Sequence, residues 1–159
     1  MIYLIDGYNL IGAWHSVQLR DPDKEKKMVF FLQRALRLGD RAVLYFDGRR
    51  RFDTLGSRET HGAVSVIFTP EGLSADVVIQ RAMGEYRQKK SVQIVSSDRE
   101  VQSAARELRL GSMSSDVFIK MLYATFNGDV AESKPEAMSS QEFQYWESCF
   151  QRKGNLCYE

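Results

Sequence analysis

At 159 residues, 43% apolar and 27% charged, the chain has the size and make-up of one soluble globular domain with a sizeable core. Lys plus Arg number 22 and Asp plus Glu 21, a formal net charge of +1, so overall charge neither demands nor rules out nucleic acid. No apolar run is long enough to span a bilayer, no basic-then-apolar leader opens the chain, and the two cysteines, Cys149 and Cys157, form neither a metal pair nor a disulfide framework; a cytoplasmic setting is the simplest expectation.

Ile2-Tyr3-Leu4-Ile5 is a short unbroken apolar run, read as a strand buried on both faces, and it runs straight into Asp6. Gly7 allows a sharp exit, and Asn9 can turn its amide back toward the strand end. Tyr8 reads as packing against the sheet edge, with stacking on a base as the alternative, and Trp14 is open between core and stacking roles. Asp21 and Pro22 read as N-cap and first residue of a helix with Met28, Phe31, Leu32, Ala35 and Leu36 inward, closed by Gly39.

Arg41 to Phe46 is a second buried strand ending in Asp47 and Gly48. Arg49-Arg50-Arg51 then opens a polar loop that runs to His61 and includes Arg58. Ala63 to Phe68, rich in β-branched residues, reads as a third strand, and Thr69 to Gly72 as a turn. Ser74 can cap a helix with Ala75, Ile79, Ala82, Met83 and Tyr86 inward and Asp76 in its first turn. Val92 to Val95 is a fourth strand, followed by Ser96-Ser97-Asp98. Ser97 and Glu100 fit a capping box for a helix carrying Val101, Ala104, Ala105 and Leu108. Gly111 to Met113 is a short strand, and Ser114 to Phe126 a helix with Val117, Met121 and Leu122 inward. Asn127 to Ala137 is loop-like. Ser139 and Glu142 open a last helix, at about 139–152, with Phe143, Trp146 and Phe150 on one face. Alternating strands and helices predict a three-layer α/β/α sandwich around a mostly parallel sheet, as one domain over 1–159.

Three of the four clear strands end in Asp, and Asp76 opens a nearby helix. Singly, each is explained by the preference of Asp for turns, caps and first helical turns. Jointly they are harder to explain that way. If the first strand is central, Asp6, Asp47 and Asp98 share one crevice, and like charges brought together ask for a cation. Oxygen ligands suit a hard cation such as Mg²⁺ or Mn²⁺, which can lower the pKa of bound water and offset charge on a phosphate. His15 and His61 offer no catalytic triad, and the glycines after the first strand form neither a dinucleotide fingerprint nor a P-loop.

Ile5-Asp6-Gly7-Tyr8-Asn9-Leu10-Ile11, Tyr45-Phe46-Asp47-Gly48, Ser74-Ala75-Asp76 and Val95-Ser96-Ser97-Asp98-Arg99-Glu100 occur in that order. Together they resemble an NYN domain of the YacP-like branch, within the PIN-like nuclease superfamily. The resemblance spans about residues 1 to 126 and extends toward the whole chain. It implies a PIN-like fold and a metal-dependent endoribonuclease. Asp6, Asp76 and Asp98 match the family's acidic catalytic and metal positions. Asp47 is a further candidate ligand, and Asn9, Ser97 and Gln80 are supporting positions. The family's helix motif commonly carries another acid four residues after Asp76, where this chain has Gln80; an amide brings no charge, which bears on a second metal and on activity.

Arg49, Arg50, Arg51 and Arg58 leave the same sheet edge and are the expected RNA-binding residues, against the alternative of a solvated loop. Arg81, Arg87, Lys89, Lys90, Arg99 and Arg106 read as solvated helix faces. Two functions follow. One is an endoribonuclease that cleaves single-stranded RNA, mRNA included, through carboxylate-bound Mg²⁺ or Mn²⁺, with water as nucleophile. The other is a non-catalytic RNA-binding module that keeps the fold. Ribosome association is compatible with either, and no membrane partner is expected.

Overall fold

Tyr3 and Ile5 are buried against one layer of helices and Leu4, between them, against the other. This alternation is what makes the first strand central: each side chain along it leaves the pleat on the opposite face. The computed structural model describes residues 1–48 and 56–126. Its elements are β1 (Ile2–Asp6), α1 (Gly7–Ala13), α2 (Lys24–Ala35), β2 (Arg41–Phe46), β3 (Ser57–His61), β4 (Val64–Phe68), α3 (Ala75–Glu85), β5 (Val92–Val95), α4 (Arg99–Glu107), β6 (Gly111–Met113) and α5 (Ser115–Phe126). The sheet order is β3-β4-β2-β1-β5-β6, parallel throughout except that β3 runs antiparallel to β4. Strand order turns back at β1, with β2 on one side and β5 on the other. A crevice beyond the carboxyl ends of β1 and β5 is the consequence.

Helices α1, α2 and α5 cover one face through Leu10, Ile11, Met28, Leu32, Phe118 and Leu122. Helices α3 and α4 cover the other through Ile79, Met83, Val101 and Ala105. The three-layer α/β/α sandwich with a mostly parallel sheet is therefore the observed fold. Among the described residues no helix is long and apolar enough to cross a membrane.

Several local expectations are corrected. Helix α2 begins at Lys24 with Asp23 in the N-cap position, so Asp21 is not its cap. Asp21 instead accepts from the Asp23 amide at 3.0 Å and from Lys27 Nζ at 2.5 Å. The polar segment that reads as loop contains β3, an exposed edge strand that carries Arg58 and His61. The capping box at Ser97 is displaced by one residue: Asp98 is the N-cap of α4. In α5, Val117 is 53% exposed, and Phe118 and Ile119 take the inward positions with Leu122. Trp14 is buried, stacked on Phe31 at 4.8 Å, and its Nε1 donates to Tyr123 Oη at 2.8 Å, which settles it in the core. The loop at 127–137, the helix at 139–152 and Arg49 to Arg51 lie outside the described residues.

Candidate functional site

Asp6 closes the central strand and turns its side chain back to cap α1, with Oδ1 accepting from the Asn9 amide at 3.1 Å. Gly7 must be small: a Cβ there would overlap the buried ring of Phe46 at the end of β2. Asp47, just past that ring, accepts from the Ala75 amide at 2.6 Å. This bond ties the first turn of α3 to the end of β2 and brings the next residue, Asp76, to Asp6. The two carboxyls face each other at hydrogen-bond range. No N–H or O–H among the described residues donates to Asp76 Oδ1, which is buried.

Burial pushes the Asp6 carboxyl up to about 6; the Asn9 amide opposes this, while the neighbouring Asp76 and the charge of Asp47 push the same way. Burial also raises the Asp76 carboxyl, reinforced by the charges of Asp98 and Asp47. Two carboxyls in a poorly solvated contact cannot both ionise cheaply. A shared proton or a bound cation would relieve that repulsion.

Asp98 approaches from β5. Its Oδ1 accepts from the Glu100 and Val101 amides at 2.7 and 3.2 Å, so it caps α4 while its charge acts on Asp76. The loop that carries it is held by Asn9, whose Oδ1 accepts from the Ser97 amide at 2.9 Å and from Ser115 Oγ at 2.8 Å. Ser97 Oγ in turn accepts from the Ser115 amide at 3.2 Å. Asn9 is thus a bracing residue, its amide shared between the β5–α4 loop and the start of α5. Asn9→Ala is expected to lower stability by about 2 kcal/mol, because the fully buried Ser115 hydroxyl loses its acceptor. Urea unfolding measures it; a change under about 0.5 kcal/mol would mean that water replaces the amide.

The crevice over these strand ends, about 560 Å³, is lined by Asp6, Asn9, Asp47, Ser97 and Asp116, with Leu19 at its edge. Asp116 was missed by sequence reasoning. The available signal was its position in the first turn of the helix after a short strand, the same setting as Asp76. Gln80 is exposed on α3, one turn beyond Asp76, and Arg58 is exposed on β3. Among the described residues, no three His, Cys, Asp or Glu side chains form a ready-made metal cage. The facing pair Asp6 and Asp76, one oxygen of which is buried without a donor, nonetheless suits a hard cation that keeps several waters as its remaining ligands.

The sequence model of the YacP-like NYN domain matches residues 3–146. The chain is 33% identical over 85 residues to "Uncharacterized protein YacP" of Bacillus subtilis (strain 168), an alignment covering 50% of this chain and 49% of that protein. The match thus spans about half the length of that relative. Two crystal structures of Rae1 (YacP) from Bacillus subtilis share the fold. One superposes with a TM-score of 0.61 at 20% identity, covering 98% of this chain and 84% of the other. The other, a single-residue variant, gives a TM-score of 0.60 at 23% identity, covering 79% of this chain and 77% of the other.

Proposed function

The chain belongs to the YacP-like NYN domain family, whose fold is nuclease-type and RNA-related, and on that premise we propose that it is a metal-dependent endoribonuclease acting on single-stranded RNA. The observation that supports this reading is the half-buried contact of Asp6 with Asp76, a carboxyl pair raised above its ordinary range, in which the buried Asp76 Oδ1 meets no donor among the described residues. NYN and PIN-like nucleases generally use divalent metals. Asp6 and Asp76 would hold a Mg²⁺ or Mn²⁺ ion, with Asp98 and Asp47 adding charge nearby. Bound there, the ion supplies a lowered pKa for coordinated water and offsets charge on the phosphate. The chain's own contribution is positional. Asp47 sets Asp76 by bonding the start of α3, and Asn9 sets the Asp98 loop. The direct test is labelled single-stranded RNA, mRNA fragments included, incubated with the protein in Mn²⁺, in Mg²⁺ and in EDTA. Cleavage restricted to the metal-containing samples supports the reading, and intact RNA in all three removes it.

A non-catalytic RNA-binding module is the second reading, favoured by an exposed, uncharged Gln80 at the position where the family resemblance implies an acid. The two readings part at that position. Gln80→Glu is expected to tighten Mn²⁺ binding by about threefold to tenfold and to lower the metal concentration needed for cleavage, as an added carboxylate does at a hard-cation site. Calorimetric titration of both proteins measures it; equal or weaker binding in the variant takes Gln80 out of the metal's surroundings.

Arg49, Arg50 and Arg51 follow Asp47 directly in sequence, and their proposed role is to hold RNA phosphates together with Arg58. Replacing the three by alanine is expected to weaken binding and flatten the dependence of log affinity on log salt by about two units, at about 0.7 per phosphate on a single strand. Sequence preference should be unchanged, since phosphate contacts position the strand without reading it. Fluorescence anisotropy over a salt series reports the slope, and an unaltered slope excludes this segment from the RNA path. Association with the ribosome is compatible with this reading, and so is a cytoplasmic location.

A further inference from the structure

The two ends of the sheet carry opposite charge. Asp6, Asp47, Asp76, Asp98 and Asp116 gather at the carboxyl ends of the strands. At the other end the starts of β2, β1, β5 and β6 lie side by side, with Ile2 in register with Arg41 and Val92, and Gln93 with Gly111. The turns that enter β5 and β6 are fastened together, the Gln88 amide donating to the Leu108 carbonyl at 3.0 Å. These turns expose Arg87, Lys89, Lys90, Arg106 and Arg109, and Arg41 is exposed at the start of β2. The acids on the same turns are Glu85 and Glu107; Asp40, beside Arg41, is already paired with the Met1 amino group at 2.7 Å. Among the described residues, none of the six cations stands in an ion pair. A net charge of +1 conceals this separation of charge.

Backbone strain falls on the same edge. Arg109 has φ 56° and Gln88 φ 62°, and among the described residues these are the non-glycine positions of positive φ. Arg109 follows the C-cap of α4. Its amide donates to the Arg106 carbonyl at 3.0 Å, and the Leu110 amide to the Ala105 carbonyl at 2.9 Å. Helices that end this way usually place glycine there, because a Cβ is crowded in the left-handed region. An arginine in that position costs folding free energy that a glycine would not. Its side chain is exposed and enters no ion pair among the described residues, so the charge is presented outward.

We propose that this basic edge docks the phosphate backbone of a double-helical RNA segment, at the opposite end of the sheet from the strand-end acids. The proposal takes from the reading above only that the chain acts on RNA. Four neighbouring strand starts spread the cations over about 15 Å, along a surface held by main-chain bonds. Lysine and arginine so placed release counterions from phosphates without reading sequence. Paired RNA suits the edge better than a single strand. Single strands settle on open aromatic faces, whereas a duplex presents phosphates and 2′-hydroxyls. Here Tyr86 is half-buried and Lys89 Nζ sits over its ring at 5.2 Å, so that face is taken. A lipid surface fits less well. The large apolar side chains exposed at this edge are Met1 and Leu38, far less than the apolar face of an interfacial helix.

The test is fluorescence anisotropy of the full chain in EDTA with a labelled RNA duplex of about 16 base pairs, over a salt series. Lys89→Ala combined with Lys90→Ala is expected to weaken duplex binding by about tenfold. It should also flatten the slope of log affinity against log salt by about two units, at about 0.9 per phosphate on a double helix. Arg81→Ala combined with Lys120→Ala removes the same charge from exposed positions on α3 and α5 and should change the slope by less than about half a unit. Arg109→Gly should weaken duplex binding while holding or raising the unfolding temperature, a combination that a purely structural arginine does not give. Absence of duplex binding by the unaltered chain overturns the proposal. So do equal losses in the two double variants, and so does binding to phosphatidylserine–phosphatidylcholine vesicles with no response to the duplex. Cleavage of a short unpaired RNA in Mn²⁺ should be unchanged in the Lys89 and Lys90 variant. Intact RNA with the unaltered chain removes the nuclease reading, whereas cleavage without duplex binding removes the docking edge alone.

Discussion

Asp6→Asn is expected to reduce RNA cleavage by about a hundredfold or more, while making the metal-free protein more stable near neutral pH. The loss of activity follows from removing one of the two facing carboxylates. The gain in stability follows from the same contact. Burial holds the Asp6 carboxyl at about 6 against an ordinary value of 3.8, so the folded state binds this proton more tightly than the unfolded chain. The stabilisation from that proton is full below 3.8 and is lost as pH rises through about 6. Allowing for partial exposure, the difference amounts to about 2 kcal/mol. An asparagine keeps the oxygen that caps α1 and never ionises. Thermal unfolding in EDTA between acid and neutral pH should therefore fall more steeply for the native chain than for the variant, which keeps only the raised Asp76. Parallel curves would mean that Asp6 is well solvated, and undiminished cleavage would remove it from the catalytic set.

Gly48→Ala is expected to destabilise the protein by about 3 kcal/mol. A Cβ at Gly48 would overlap the carbonyl oxygen of Thr69, which is main chain and has no rotamer to yield. Thr69 is itself fully buried and held from three directions. Its amide donates to the Phe46 carbonyl at 2.8 Å, its Oγ1 accepts from the Gly48 amide at 3.1 Å, and the same hydroxyl donates to the Leu73 carbonyl at 2.7 Å. Relief of the overlap requires moving the end of β2, and Asp47 moves with it. The variant should therefore lose both unfolding free energy in urea and the alignment of α3. A loss under about 1 kcal/mol would show that the β2 end shifts freely.

The strands that build the site were legible because each is a short apolar run stopped by an acid. Leu4 and Ile5 before Asp6, or Ile94 and Val95 shortly before Asp98, leave no other periodicity to fit. β3 was not legible, because Ser57 to His61 is polar and among the described residues it pairs with β4 alone; a sheet edge needs no apolar alternation. α1 escaped notice because its seven residues include two glycines and are stabilised by packing of Leu10 and Ile11, which no local pattern reports. Ser97 and Asp98 are adjacent capping residues, and the choice between them is made by Asn9, 88 residues before Ser97, and by Ser115, 18 residues after it. In α5 an off-by-one helical frame exchanged Val117 for Phe118. The assembly of Asp6 with Asp76 was anticipated from order and resemblance. That Asp47 spends one oxygen on a backbone amide of α3 depends on three-dimensional placement alone.

The bracing of Asn9 also fixes when the crevice comes into being. Asp6 and Asp47 leave the synthetic machinery early, but the amide of Asn9 finds its partners only on Ser97 and Ser115. Contacts of such long sequence separation are closed late, after the loop entropy between them has been overcome. A nascent chain therefore carries half of its acids long before it has the shape that gathers them.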